Sequence, residues 1–366
     1  MQVTTYLPGR IFTGVEWLEQ HAVVVKNGTI STVVAATEIQ ESDSVIEWPD
    51  CILAPAFIDI QIYGAYEKLF AVYPEPGSLH LLAEYCRKGG AALFLPTLAT
   101  NSLEVFHKGI DAVRAYWQQG GKGVYGLHLE GPWINEVKKG AHIQKYIHEP
   151  TGEEVKALLD YGRGVIKMIT LAPEKCSDEV LKLIIDENII ISAGHSNATY
   201  DQAVKSFEKG IKTVTHLFNA MSPLEHRNPG LVGAVLNHSS VRSSIIPDGY
   251  HVDWPAIQIA KKIMGERLFV ITDAVTQTTA GGYQHLLEGD RYTCNGTLSG
   301  SALTMHKAFY NLVYTGGFNT GEALRMCSLY PAQVLGCDSQ YGKITPGYSA
   351  QFVVLNQKFD LMEVIT

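Results

Sequence analysis

Eight short apolar runs rich in β-branched residues, separated by amphipathic stretches, fill the middle of this chain and restrict its fold more than any other feature. They are Ile52–Ile62, Ala91–Pro96, Gly123–Leu129, Val165–Leu171, Ile189–Ala193, Lys212–Leu217, Ser243–Pro247 and Leu268–Thr272. Between them lie Leu79–Arg87, Ser102–Trp117, Asp178–Asp186, Tyr200–Lys209 and Trp254–Met264, whose apolar residues recur at helical spacing. Strands alternating with helices over roughly 220 residues predict an α/β fold, a (β/α)8 barrel.

The two ends of the chain read differently. The first fifty residues alternate apolar and polar in short runs, and Asn27-Gly28 between β-branched neighbours is a two-residue hairpin signal. Gly342–Gly347 followed by Phe352–Leu355 has the same character. We therefore expect residues 1–51 and 341–366 to build one small β-sandwich domain flanking a barrel over 52–340.

Composition narrows the functional classes. The chain has 366 residues, 46% hydrophobic and 18% charged, as in a globular protein with a full core. Its formal net charge of −8 argues against nucleic acid or an anionic membrane as partner, so an anionic ligand needs a few placed cations. The six cysteines include no Cys-x-x-Cys pair and read as reduced thiols. The start, Met1-Gln-Val-Thr-Thr-Tyr-Leu-Pro, lacks the basic and apolar regions of a signal peptide, and no apolar run reaches the ~20 residues of a membrane span. A cytoplasmic enzyme is the expectation.

The strand ends carry the chemistry. Glu130 follows the third run, His195 the fifth, His216 closes the sixth and Asp273 follows the eighth. In a barrel these positions meet at one rim, where catalytic groups collect. A lone strand-end histidine is more often structural than a ligand. One carboxylate and two imidazoles on suitable strands instead suit a divalent ion with an open position for water. Asp273 is then placed to move protons, the plainer reading being a helix N-cap. His128 should point to the same side of its strand as Glu130 and reads as core or supporting. His142 in the loop after the third run could polarise a carbonyl. Arg227 and His251, near the N–H donors of Asn219-Ala220, would suit a phosphate, although from the residues alone a lone arginine reads more readily as a solvated surface charge.

The segments Leu127-His-Leu-Glu-Gly-Pro132, Lys139-Gly-Ala-His142, Leu171-Ala-Pro-Glu174, Gly194-His-Ser-Asn-Ala-Thr199, Thr215-His-Leu-Phe-Asn-Ala-Met221, Asp248-Gly-Tyr-His251, Thr272-Asp-Ala274 and Gly296-Thr-Leu-Ser-Gly-Ser-Ala-Leu-Thr-Met305 stand in this order. As a set they closely resemble the N-acetylglucosamine-6-phosphate deacetylases of the amidohydrolase superfamily. The resemblance implies that Glu130, His195 and His216 hold one divalent metal ion per subunit, Zn2+ before Fe2+, Mn2+ or Co2+. It implies Asp273 as general base and then acid, and His142, beside Ala141, facing the acetyl carbonyl. Asn219, Ala220, Arg227 and His251 would bind the sugar phosphate, and Leu298, Ser299 and Gly300 would lie near the acetyl group. It also implies a homodimer with phosphate-binding groups crossing the interface.

One departure matters. Where many amidohydrolases have His-x-His holding a second metal, this chain has Gln61-Ile-Tyr63. A neutral amide and a phenol are poor Zn2+ ligands, so one metal is expected, with Gln61 and Tyr63 bordering the sugar. The implied reaction is deacetylation of N-acetylglucosamine 6-phosphate to glucosamine 6-phosphate and acetate. The alternatives are the N-acetylgalactosamine 6-phosphate epimer and a non-catalytic sugar-phosphate-binding protein.

Overall fold

The structure, a computed structural model, describes residues 3–39 and 44–366. Its eight-stranded parallel sheet runs β1 (Phe57–Ile62), β2 (Ala91–Ala99), β3 (Leu127–Glu130), β4 (Ile166–Leu171), β5 (Ile190–Ala193), β6 (Thr213–Val214), β7 (Arg242–Ile245) and β8 (Leu268–Val270), neighbours in the chain being neighbours in the sheet. Past the last strand, Ala274 bridges in parallel to Ile62. There the Asp273 N–H donates to the Gln61 carbonyl at 3.0 Å and the Tyr63 N–H to the Ala274 carbonyl at 2.9 Å. This seam brings the first and eighth strands together as a barrel. All nine residues of β2 are buried, the pattern of a parallel strand covered on both faces.

Helices alternate with these strands and begin where side chains cap them. The Ser102 hydroxyl accepts from the Val105 N–H before Leu103–Gln118, and Ser177 does the same for Val180 before Asp178–Asp186. Thr199 and Gln202 form a reciprocal capping box before Tyr200–Glu208.

The contacts divide the chain into two compact units, residues 60–85 with 94–303, and residues 1–59, 86–93 and 304–366. The second contains a seven-stranded mixed sheet with strands from both ends of the chain. Phe352–Asn356, from the C-terminal end, pairs antiparallel with Ser44–Pro55 from the N-terminal end. Its core packs Tyr6, Ile11, Val23, Leu53, Phe352 and Val354 together. The hairpin at Asn27-Gly28 is present, both residues having positive φ (49° and 76°) as a two-residue turn requires. Three helices, Met305–Tyr314, Thr320–Cys327 and Leu329–Leu335, complete this unit.

Two strand readings change. The apolar run Ile52–Ile62 is divided at Ala56: its first part belongs to the mixed sheet and its second is β1. Hydrophobicity is continuous there because both neighbouring strands end in buried residues. The run Lys212–Leu217 shortens to Thr213–Val214, since His216 turns to φ 36° and leaves the strand. Among the described residues, no helix is long and apolar enough to cross a membrane, and none of the six cysteines is in a disulfide.

Candidate active site

The ends of β3, β5, β6 and β8 deliver Glu130, His195, His216 and Asp273 to one cavity of about 330 Å3, inside the barrel-containing unit. Glu130 is the last residue of its strand, whereas the other three lie beyond theirs with φ of 47°, 36° and 53°. Backbone of this kind costs a residue with a side chain on the order of 1–3 kcal/mol. It turns each side chain inward instead of letting it continue the strand alternation. The segment after β6 repeats the device, with Phe218 and Ala220 also at positive φ.

Three basic atoms converge. His216 Nε2 lies 3.2 Å from Glu130 Oε1 and 3.2 Å from His195 Nε2, and His195 Nε2 lies 3.3 Å from Glu130 Oε1. His195 Nδ1 donates to the Lys138 carbonyl at 2.9 Å, which leaves Nε2 as the nitrogen that faces the carboxylate. Such atoms stand together only with a proton or a cation among them: although burial works against its charge, Glu130 raises the His216 imidazole. Tetrahedral ligands held about 2.0–2.1 Å from an ion stand roughly 3.3 Å apart, so this trio fits a divalent metal. It is the only such cluster of histidine, cysteine or acidic groups among the described residues.

The surrounding groups set the charges. Burial works against the Glu130 charge, but His195 and His142 hold its carboxyl well below the ordinary range. Asp273 is raised, first by burial and further by the Glu130 charge, against the opposing pull of His216. Burial, with His195 alongside, pushes His142 down to about 4, so its ring is neutral near pH 7. His142 Nδ1 is 2.7 Å from the Thr100 hydroxyl and its Nε2 is 3.1 Å from Glu130 Oε2. Gln61 and Tyr63 lie between the two carboxylates. The Tyr63 hydroxyl donates to Glu130 Oε2 at 2.5 Å, and the Gln61 amide nitrogen is 2.8 Å from Asp273 Oδ1.

Tyr63, Ala141, His142, Asn219, Ala220, His251, Leu298, Ser299 and Gly300 all line this cavity. His251 Nδ1 bonds to Asp248 Oδ2 at 2.6 Å, and that contact helps hold the Asp248 carboxyl down against the effect of burial. Gly300 is required where it stands: a Cβ there would meet Val275 at 2.6 Å and the Asp273 carbonyl at 3.0 Å. Gln61 is buried beneath the lining, and Arg227 is not brought to the cavity at all. Arg227 is exposed and borders a separate hollow with Tyr200, Asp201 and Glu225. His128 lies in the barrel core, pushed down to about 4 by burial, with Nε2 2.8 Å from the Thr170 hydroxyl.

Among the polar residues that line the cavity, Lys138, Tyr283 and His285 have no counterpart in the sequence reading. Lys138 directly precedes the Lys139-Gly-Ala-His142 motif, a signal that was available. Tyr283 and His285 precede a three-stranded antiparallel excursion, Leu286–Glu288, Arg291–Cys294 and Thr297–Ser301, whose exposed first strand carries no apolar pattern. His285 Nδ1 lies 2.8 Å from the Ser299 hydroxyl, and burial pushes this imidazole down to about 4.

The model of the amidohydrolase family matches residues 52–365, and that of the NagA composite domain matches residues 7–46. The N-acetylglucosamine-6-phosphate deacetylase of Haemophilus influenzae is 33% identical over 366 residues, covering 97% of this chain and 96% of its own. The N-acetylgalactosamine-6-phosphate deacetylase of Escherichia coli O157:H7 is 30% identical with the same coverage of 97% and 96%. Among solved structures, N-acetylglucosamine-6-phosphate deacetylase from Pasteurella multocida has a TM-score of 0.94 at 33% identity, covering 100% of this chain and 98% of that one. A mutant of the Mycobacterium smegmatis enzyme in complex with N-acetyl-D-glucosamine-6-phosphate has a TM-score of 0.89 at 26% identity, covering 100% and 97%.

Proposed function

The chain belongs to the amidohydrolase family, and within it we propose that this enzyme hydrolyses N-acetylglucosamine 6-phosphate to glucosamine 6-phosphate and acetate. The observation that carries this reading is the convergence of Glu130 Oε1, His195 Nε2 and His216 Nε2 in the cavity that also receives Asp273 and His142. Those three residues would hold one divalent ion, proposed as Zn2+, although Fe2+, Mn2+ and Co2+ use the same donors. Such an ion polarises an amide carbonyl and acidifies water.

The remaining steps belong to the chain's own residues. Asp273, whose raised carboxyl suits proton exchange, takes a proton from the water that adds to the acetyl carbon. It returns a proton to the amide nitrogen as the C–N bond breaks, so the sugar leaves as an amine and the acyl group as acetate. Neutral His142, with Thr100 on Nδ1, carries its one N–H on Nε2, which passes from Glu130 Oε2 to the oxygen on which negative charge develops. Leu298, Ser299 and Gly300 form the neighbouring wall. His251, Asn219 and the Ala220 N–H receive the phosphate. Arg227, exposed and away from the cavity of its own chain, would come from a second copy, which makes the working unit a homodimer. Residues 52–340 are proposed as the catalytic barrel domain, with 1–51 and 341–366 as the small β-domain, and the cytoplasm as its location.

The galactosamine epimer is the second reading, favoured by a relative of that name over 97% of the chain. Acetate release from both sugars, with kcat/KM compared and metal content measured on the same preparation, tests both. Turnover of the gluco epimer at the higher kcat/KM supports the proposal, and a higher value for the galacto epimer replaces it. Metal without turnover on either sugar would leave only a sugar-phosphate-binding protein.

A further inference from the structure

We propose that Tyr63, together with Gln61, is a positioning residue: its phenol and the Gln61 amide clamp Glu130 and Asp273 in the place where a second cation would otherwise hold them. The inference rests on the deacetylase reading and deepens it. Glu130 and Asp273 are both buried, at 2% and 9% exposure, and two such carboxylates side by side repel unless donors or cations lie between them. Here the donors are neutral. The Gln61 amide nitrogen lies 2.7 Å from the Tyr63 hydroxyl, 3.0 Å from Glu130 Oε1 and 2.8 Å from Asp273 Oδ1. The Tyr63 hydroxyl donates to Glu130 Oε2 at 2.5 Å and lies 3.3 Å from Asp273 Oδ1.

This arrangement divides the two oxygens of Glu130. Oε2 is engaged by Tyr63 and His142, whereas Oε1 is the atom facing His195 and His216. The phenol therefore selects which oxygen is offered to an ion and keeps the carboxylate from rotating to offer both. Its own position is set by the barrel rather than by a loop. The Tyr63 N–H is bonded to Ala274 at 2.9 Å across the seam, and its carbonyl accepts from Phe70 at 2.8 Å. The ring packs with Leu69, Ala99, Val275 and Tyr283. A side chain fixed at both ends of its backbone and along its ring is suited to orienting others.

Tyr63→Phe keeps the ring and its packing and removes only the hydroxyl. We expect kcat for acetate release, and metal affinity in chelator competition, each to fall about 10–100-fold, with KM and the melting temperature of the metal-free protein nearly unchanged. The double variant Gln61→His/Tyr63→His should raise bound metal from one ion to two per folded chain by elemental analysis. Wild-type kcat and metal affinity in Tyr63→Phe would overturn the proposal, as would a folded double variant that still binds one ion. Failure of the wild-type enzyme to release acetate from either sugar would refute the deacetylase reading alone, because metal affinity and stoichiometry judge the clamp without turnover.

Discussion

Asp273 and Gln61 are joined twice across the barrel seam, once by backbone and once by side chains. The Asp273 N–H donates to the Gln61 carbonyl at 3.0 Å, and the Gln61 amide donates to Asp273 Oδ1 at 2.8 Å. Closure of the barrel therefore places the proposed proton carrier. Asp273 is not one of the three atoms that converge on the cation position. Asp273→Asn should accordingly lower kcat for acetate release by about 10²–10⁴-fold while bound metal stays near the wild-type level. Full activity in that variant would remove Asp273 from the mechanism.

Stripping the metal should abolish acetate release, and adding back Zn2+ should restore it. Binding to the folded state alone also adds stability, by about 2.7 kcal/mol at a free ion concentration 100 times Kd. The melting temperature of the stripped protein should thus rise as Zn2+ is titrated in. His216→Ala removes one of the three donors and should flatten that titration. A rise as steep as wild type in His216→Ala would place the ion elsewhere.

The barrel was legible because parallel strands buried on both faces leave apolar runs, as in Ala91–Pro96 within the strand Ala91–Ala99, and the helices Asp178–Asp186 and Trp254–Met264 match their periodicity. What periodicity cannot register is backbone torsion. The positive φ of His195, His216 and Asp273 aims the site, yet nothing in the pattern of those segments marks it. The exposed strand Leu286–Glu288 was illegible for a related reason, since a strand without a buried face has no alternation to read. Tyr283 and His285 went unseen with it. Gln61 and Tyr63 were visible as a departure from His-x-His, but their bonds to both carboxylates arise only when the fold brings the strand ends together.

Acid should destabilise the fold over a defined range. Burial depresses His285 to about 4 in the folded protein, whereas an unfolded histidine titrates near 6.5. Between these values the unfolded chain binds a proton that the folded chain does not, so stability falls as pH falls. The contribution is fully present above pH 6.5 and is lost progressively down to about pH 4, to a limit of about 3 kcal/mol for one such histidine. His128, also near 4, acts in the same direction. Thermal melts of metal-free protein should show this slope, and His285→Gln should make it shallower. An unchanged slope would mean that His285 is not held neutral.

Arg227 gives the proposed dimer a test that needs no structure of it. Arg227→Ala should raise KM for the sugar phosphate far more than for the unphosphorylated sugar, because only the former carries the anion. Mixing Arg227→Ala subunits with Asp273→Asn subunits then separates the two placements of the arginine. If it crosses the interface, each mixed dimer has one complete site, made of Asp273 from one copy and Arg227 from the other. Random exchange at equal concentrations would recover about a quarter of wild-type activity per site. If Arg227 serves its own chain, every site in the mixture lacks one group and activity stays at the level of the separate variants. Recovery after exchange is the expected result, given that Arg227 borders a hollow with Tyr200 and Asp201 and does not line the cavity that receives His251.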